Sequence, residues 1–541
     1  MRGWMDHLVI VPVVLPLLTG AVMVLVGERR RALKAALGIL SVLLVLAVAV
    51  LLLRRADSPA GAEIPVLRAY LLGNWPSPFG IVLVADRLAA LMLVLTSLLA
   101  LAALVFSLAR WHRAGAHFHP LVQFQLMGLN GAFLTGDLFN LFVFFEVMLA
   151  ASYGLVLHGS GILRVRAGLH YVAVNLAASL IFLIGVSLIY GVAGTLNMAD
   201  LAARMPGITG EDRALLEAGA AVLGVAFLIK AAMWPLGFWL PTTYAAASTP
   251  AAALLSILSK VGICAVLRLW LLLFGAETGA SAGFGGTWLL SGGLLTIAFG
   301  SIAVLATQDM ARLAGASVLV SSGTLLAAIG VGQVAVTGGA LFYLASSVLS
   351  IGAFFLLIEL VERGREVGAD VLAVTREAFG EEEDPGETEV GIAIPATMAV
   401  LGMSFMGCAL LLAGLPPLSG FLAKFAMLAP LLAPAPAVNG AVPGTSWALL
   451  AALVLSGLAT VISMLRAGIN AFWVPADGMV PRVRVIEIAP VILLLLLCLG
   501  LTVGAGRAMD YMQATAQSLH APQGYVRDVL SAPRTGEGGG R

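Results

Sequence analysis

Apolar stretches long enough to cross a bilayer recur along nearly the whole chain, and no other feature restricts its fold as strongly. A helix needs about 20 mostly apolar residues to span a hydrocarbon core. Stretches of that kind fall at 8–26, 35–53, 84–108, 119–136, 139–157, 168–191, 216–235, 250–272, 287–305, 310–330, 335–360, 393–428, 447–470 and 487–506. The expected fold is an all-α polytopic membrane protein of about 14 transmembrane helices, built inside lipid rather than anchored to it. Composition agrees: 60% of the 541 residues are hydrophobic and 11% charged, where soluble domains carry about a quarter. A net charge of +1 argues against a nucleic-acid partner.

Lysine and arginine give an orientation. Connections after odd-numbered spans carry Arg29, Arg30, Arg31 and Lys34, then Arg110 and Arg113, Arg164 and Arg166, Arg312, then Arg363, Arg365 and Arg376, and finally Arg482 and Arg484. Those after even-numbered spans are poorer, with Arg54, Arg55, Arg68, Arg204 and Arg213 as exceptions. By the positive-inside rule both termini face away from the cytoplasm, which requires an even number of spans. The expected location is a bacterial inner (cell) membrane. The first apolar run reads as a span and not a signal peptide: Asp6 precedes it, Glu28-Arg29-Arg30-Arg31 follows it, and no small-residue cleavage site is present. Cys264, Cys408 and Cys498 stand far apart, and none of the seven histidines falls mid-span. No metal, iron–sulfur or haem site is therefore expected, and no cofactor.

Two spans are interrupted. The seventh ends in Lys230-Ala-Ala-Met-Trp-Pro235-Leu-Gly237-Phe-Trp-Leu-Pro241, and the twelfth contains Gly414-Leu-Pro416-Pro417-Leu-Ser-Gly420-Phe-Leu-Ala-Lys424. Proline removes a backbone donor and clashes with the preceding turn, so the helix bends or unwinds there. Unwound backbone at membrane depth survives only where protein or water satisfies it. Paired Gly/Pro-interrupted spans in two halves of a transporter point to an ion path between internal repeats. The plainer alternative is two unrelated proline kinks. A cytoplasmic loop at 361–390 is acidic, with the run Glu381-Glu382-Glu383-Asp384; it reads as a solvated loop or as a docking surface for another subunit.

Hydropathy forces a few charges deep into the membrane. Glu146 lies about six residues, or ~9 Å, into span five. Lys230 follows a charge-free apolar run, Lys260 sits ~15 Å along span eight, and Lys424 closes the broken region of span twelve. Four such groups facing lipid unpaired would cost on the order of 10 kcal/mol, so they face the bundle interior, a partner or water. Burial pulls a lysine toward its neutral form and a nearby carboxylate pulls it back. A group balanced in that way takes up and releases protons, as a relay requires. The alternative is a static ion pair between Glu146 and one lysine that orients helices. Secondary candidates are Asp137, Asp309 with Arg312 at a helix start, and Ser256 and Ser259 within four residues of Lys260. Asp86-Arg87 and Arg268 lie near span ends and are expected to be interfacial or snorkelling.

Phe145-Glu146, Lys230 to Pro241, Thr249 to Gly262 (Thr-Pro-Ala-Ala-Ala-Leu-Leu-Ser-Ile-Leu-Ser-Lys-Val-Gly), Gln308 to Ser317 and Gly414 to Lys424 resemble the antiporter-like membrane subunits. That superfamily includes the proton-pumping arm of respiratory complex I, membrane-bound hydrogenases and the large subunits of Mrp-type monovalent cation/proton antiporters. The resemblance covers roughly residues 80–470 and implies two inverted five-helix repeats with helices seven and twelve broken. It implies N-terminal helices over 1–110, a first repeat over 111–275, a second over 276–475 that includes the acidic loop, and helix fourteen with a tail over 476–541. It also implies that Glu146, Lys230, Lys260 and Lys424 match the family's glutamate on helix five and its lysine (or glutamate) positions on helices seven, eight and twelve.

Complex I subunits commonly carry histidines where this chain has Gly237 and Tyr244, and another on helix eleven where it reads Leu344-Ala-Ser346-Ser347. With the length and the acidic loop, these departures resemble most closely the D-subunit branch of Mrp-type antiporters. The function this implies is proton translocation within a multisubunit Na⁺/H⁺ or K⁺/H⁺ antiporter. Its partners would be the other subunits, protons, Na⁺ or another monovalent cation, and membrane lipids. It would be a transporter subunit and not an enzyme. The alternatives are a proton-pumping subunit of a complex I-like oxidoreductase or hydrogenase, and an assembly scaffold with inert ion pairs. No G-x-x-x-x-G-K-[ST] or G-x-G-x-x-G motif occurs in a strand–turn–helix context to suggest a bound nucleotide.

Overall fold

The computed structural model describes residues 7–57, 68–276, 278–366, 396–433, 442–473 and 483–534. In chain order the helices are α1 (Val11–Leu25), α2 (Arg31–Ala56), α3 (Arg87–Ser107), α4 (Phe118–Leu134), α5 (Leu138–Val156), α6 (Ile162–Ala193), α7 (Met198–Arg204) and α8 (Gly210–Lys230). There follow α9 (Trp239–Ala246), α10 (Thr249–Leu255), α11 (Leu258–Phe274), α12 (Gly286–Ala306), α13 (Met310–Val331) and α14 (Val334–Glu366). The last are α15 (Ala396–Ala413), α16 (Ser419–Leu432), α17 (Gly444–Phe472), α18 (Val485–Val503), α19 (Ala505–His520) and α20 (Gln523–Leu530). Among the described residues, 11 helical segments are long and apolar enough to cross a membrane. Of the acidic loop 361–390, residues 361–366 continue α14; the rest lies outside the described residues.

Burial separates inner helices from outer ones. The apolar window of α14 is 100% buried and those of α10–α11 and α13 are 89% buried, against 33% for α2 and 28% for α18. Helix α14 packs on α3, α10, α13, α15, α16, α18 and α19, so it is the axis of the bundle. A polar residue on it meets protein rather than lipid.

The purely helical expectation is corrected in one detail. Strands β1 (Arg68–Leu71) and β2 (Val82–Ala85) form an antiparallel hairpin in the register Arg68↔Ala85 to Leu71↔Val82. The hairpin closes off helix ends whose backbone groups lack intrahelical partners. Gly136 N donates to Val82 O at 2.9 Å, and Met198 N donates to Gly136 O at 2.8 Å. The segment after α18, expected only as a tail, is also folded. Helices α19 and α20 turn back over the hairpin face of the bundle, where Tyr511 Oη donates to Arg87 O at 2.9 Å and Gln513 Nε2 donates to Ala335 O at 3.1 Å.

Arg268 is a further correction. It does not snorkel: it is 8% exposed and pairs with Asp86 at 2.9 Å, beneath Tyr525 of α20. The opposite face carries a second ion cluster around Glu359, near the end of α14. Arg363 reaches Glu359 at 2.9 Å and Glu487 at 2.8 Å. Trp111 Nε1 donates to Glu359 at 2.6 Å, and Thr249, the first residue of α10, also donates to it.

Candidate functional site

Both expected breaks are present, and each is built the same way. At the end of α8, Met233 N donates to Leu228 O and Ala232 N to Ile229 O, with Ala232 in the left-handed region at φ 59°. This double bond pattern ends a helix and normally falls to glycine. At the end of α15, Leu415 N and Gly414 N both donate to Leu410 O, with Gly414 at φ 73°. The chain then doubles back so tightly that a Cβ on Gly237 would lie 2.2 Å from Ala232 O, and one on Gly420 2.2 Å from Leu411 O. Pro235 and Pro417 each stand three residues past the left-handed position. The freed backbone groups find partners, as low-dielectric surroundings demand. Trp234 N donates to Thr296 Oγ1 at 2.8 Å and Trp239 Nε1 to Ile229 O at 3.2 Å.

A third break was not legible in the sequence. Span eight is divided into α10 and α11 at Ser256-Ile257, with neither proline nor glycine at the joint. Ser256 Oγ donates back to Ala253 O at 2.7 Å and Ser259 Oγ to Ser256 O at 3.3 Å. Hydroxyls that bond a preceding turn compete with the backbone ladder and bend helices. Lys260 follows immediately.

The four deep charges differ in their surroundings. Glu146 on α5 accepts a hydrogen bond from Ser179, midway along α6. Lys230, 4% exposed at the end of α8, has no hydrogen-bond partner for Nζ, which lies 4.9 Å from the centroid of the Phe145 ring. Among the described residues no ion pair joins Glu146 to Lys230. Lys260, 1% exposed, donates to Ser321 Oγ of α13 at 2.8 Å, and Ser321 donates to Ser347 Oγ of α14 at 3.1 Å. The neighbouring Ser346 shares a 2.8 Å hydrogen bond with Ser419 at the start of α16. Lys424, half-buried on α16, donates to Ala413 O at 2.8 Å and so caps the carbonyl end of α15, where a positive charge meets the negative pole of that helix.

Adjacent residues on a helix point about 100° apart. Ser346 and Ser347 therefore let α14 face the Lys260 side and the Lys424 side together. The α8 and α11 backbones also meet closely: a Cβ on Gly262 would lie 2.9 Å from Phe227 O. Hydrogen bonds thus link Lys260 to α14 through Ser321 and Ser347, and α14 to the start of α16 through Ser346 and Ser419; none reaches Lys230 Nζ, and sequence reasoning missed these serines. Serine pairs inside apolar spans, Ser321-Ser322 and Ser346-Ser347, were the available signal.

The secondary candidates sit elsewhere or act on backbone. Asp137 caps α5, accepting from Asn140 N at 2.8 Å, and Asp309 is an exposed cap of α13, accepting from Ala311 N at 2.8 Å. Among the described residues neither bonds to Lys230, Lys260 or Lys424. Among the described residues no group of three His, Cys, Asp or Glu side chains is placed to hold a metal ion, and the three cysteines are free and buried.

Known proteins share the sequence and the fold along most of the chain. The profile of the family described as NADH:quinone oxidoreductase/Mrp antiporter, TM, matches residues 135–443, more than half of the chain. A Rhizobium meliloti protein, named as the probable D-subunit of a K⁺/H⁺ antiporter, is 62% identical over 538 residues, covering 99% of this chain and 100% of that one. An Alkalihalophilus pseudofirmus protein, named as the D-subunit of a Na⁺/H⁺ antiporter, is 33% identical, covering 97% and 100%. Among solved structures, a chain of the Mrp complex from Dietzia sp. superposes with a TM-score of 0.81 at 26% identity, covering 98% and 100%. A chain of respiratory complex I from Thermus thermophilus shares the fold, with a TM-score of 0.72 at 22% identity over 98% of this chain. The chain belongs to the NADH:quinone oxidoreductase/Mrp antiporter family of transmembrane subunits, on its antiporter D-subunit branch.

Proposed function

We propose that the chain is the proton-translocating subunit of a multisubunit Na⁺/H⁺ or K⁺/H⁺ antiporter and that protons move along Glu146, Lys230, Lys260 and Lys424. The observation that carries this reading is the burial of Lys230 and Lys260 beside helix breaks, with Glu146 and Lys424 half-buried and bonded to Ser179 and Ala413 O. Inert ion pairs would be mutually saturated; here Lys230 Nζ has no hydrogen-bond partner and faces the Phe145 ring, and the other two lysines hold only neutral oxygens. An ammonium held by hydroxyls and carbonyls keeps its charge cheaply only while water or a carboxylate can reach it. That is the condition a relay cycles through. The relatives' names support antiport and divide between potassium and sodium, with the potassium name on the 62% identical protein.

The finer architecture belongs to the same proposal. Adding α1, α4 and α8 to the 11 long apolar segments gives fourteen crossings. Both ends of the described chain meet at the hairpin, where His7 Nδ1 lies 2.9 Å from Tyr70 Oη and α20 packs on β1, which supports an even number. With the positive-inside bias, that face is the non-cytoplasmic one. The matched breaks at Ala232–Gly237 and Gly414–Gly420 support two repeats over 111–275 and 276–475.

The test is Na⁺- or K⁺-dependent proton exchange in inverted vesicles carrying the whole complex, comparing wild type with Lys230→Ala and Glu146→Gln at matched assembly. Loss of exchange in both variants is expected. Unchanged exchange would make the buried charges structural and overturn the reading.

A further inference from the structure

The bent span α10–α11 touches an ion cluster at each face of the bundle. Thr249 at its start donates to Glu359, and Arg268 near its end pairs with Asp86 at 2.9 Å. Lys260 stands between them, ~16 Å from the first and ~12 Å from the second along the helix axis. One turn from Lys260 toward Arg268 is Cys264. Cys264, Arg268 and Thr135 line a small, partly open cavity of about 20 Å³, about the room one water needs. Arg268 Nη1 and the Tyr525 hydroxyl of α20 are buried without a well-aligned hydrogen bond, although the two side chains interact, and the guanidinium lies 5.9 Å from the Tyr525 ring centroid. A loosely held N–H beside a water-sized void with a second polar wall is a place where a water can settle.

We propose that the Asp86–Arg268 pair, covered by Tyr525, is the gate through which Lys260 communicates with the hairpin face; this rests on the proton-exchange reading of Lys260 above. In the paired state the cavity has room for about one water, which is too little for a chain of waters to Lys260 from that face. Parting Asp86 from Arg268 joins the cavity to the space beneath α20 and completes the connection. Helix α20 is the cover, because the Tyr525 hydroxyl lies where a Cβ on Gly136 would be 3.3 Å away. The phenol thus fills the corner between the hairpin, the α4–α5 joint and Arg268. A pair that merely stapled α3 to α11 would need neither the void beside it nor a tyrosine cover.

Cys264 lines the cavity and reports on the gate. In the assembled complex carrying Cys408→Ser and Cys498→Ser, a membrane-impermeant methanethiosulfonate is applied from each face in turn, and modification of Cys264 is followed by mass spectrometry of this chain. Asp86→Asn and Tyr525→Ala should each speed modification from the hairpin face about tenfold, the ratio that roughly 1.4 kcal/mol of lost gate stability gives. Modification from the opposite face should stay slow. Unchanged rates in the assembled variants, or modification from the opposite face, would overturn the gate. Tyr525→Ala keeps the test decisive if Asp86→Asn fails to assemble. Lys260→Ala separates the two claims: surviving exchange in that variant sinks the proton-exchange reading, whereas the labelling rates judge the gate regardless.

Discussion

A proline inside a spanning helix leaves the carbonyl four residues earlier without its donor, and in lipid that oxygen has no water to turn to. In α1 the proline is Pro16 and the orphaned oxygen belongs to Pro12, which accepts from Asn130 Nδ2 of α4 at 2.8 Å. Asn130→Leu is expected to cost about 1–3 kcal/mol, the penalty of an unsatisfied buried acceptor. Pro16→Ala restores the missing N–H, so the same substitution in that background should cost markedly less. A double-mutant cycle on the melting temperature checks this, and equal costs in both backgrounds would refute the pairing. The glycines at the breaks make a second residue-scale case. Gly237→Ala and Gly420→Ala each drive a methyl onto a carbonyl oxygen 2.2 Å away and should each destabilise by about 1–3 kcal/mol, as overpacking against fixed backbone does. A harmless substitution at either site, judged by thermal unfolding of the assembled complex, would show that the two half-helices do not meet as described.

At the scale of elements, the connections between helices carry the pH response. His112, between α3 and α4, and His158, between α5 and α6, are both held below the usual histidine range by burial, and the nearby Arg113 and Arg164 add to it. His158 Nε2 also lies 2.8 Å from Trp111 O, a contact that opposes the shift without reversing it. Their stabilising contribution is complete above the unfolded value of about 6.5 and is lost as pH falls through the folded values, because the unfolded chain takes up the protons first. The melting temperature should therefore drop between pH 7 and pH 5, and His158→Gln should flatten that drop; a rise on acidification would contradict it. What the sequence disclosed about these elements follows from which signals are local. Span positions show in runs of apolar residues, the breaks at 235 and 417 in proline and glycine, and the four deep charges in their apolar surroundings. The break at Ser256 was hidden because serine bends a helix through hydrogen bonds and not through a barred conformation. The Arg268–Asp86 pair joins residues 182 apart in sequence, and the hairpin and the fold of α19–α20 likewise depend on what they pack against. No periodicity encodes such contacts.

Across the whole molecule, the two ion clusters hold the ends of the same bent span, and the more crowded of them is the one around Glu359. Its carboxylate takes hydrogen bonds from Trp111, Thr249 and Arg363, and Arg363 passes the connection on to Glu487 of α18. One side chain thus ties the α3–α4 connection, the start of α10, the end of α14 and the start of α18. With donors on both oxygens, Glu359 fixes where span eight begins relative to the α14 axis. Glu359→Gln keeps the shape but removes the charge from a mostly buried cluster, and breaking such a pair costs about 3–5 kcal/mol when the partner is left behind. Arg363 is 24% exposed and keeps Glu487, so the lower end of that range or less is expected. The informative readout is where the loss is felt. Hydrogen exchange should quicken at the first turns of α10 and α18 together, and proton exchange should fall even though Glu359 is not one of the four deep charges, because Lys260 is positioned from Thr249 through the hinge at Ser256. Faster exchange confined to the end of α14, with transport intact, would show that span eight holds its place without the cluster.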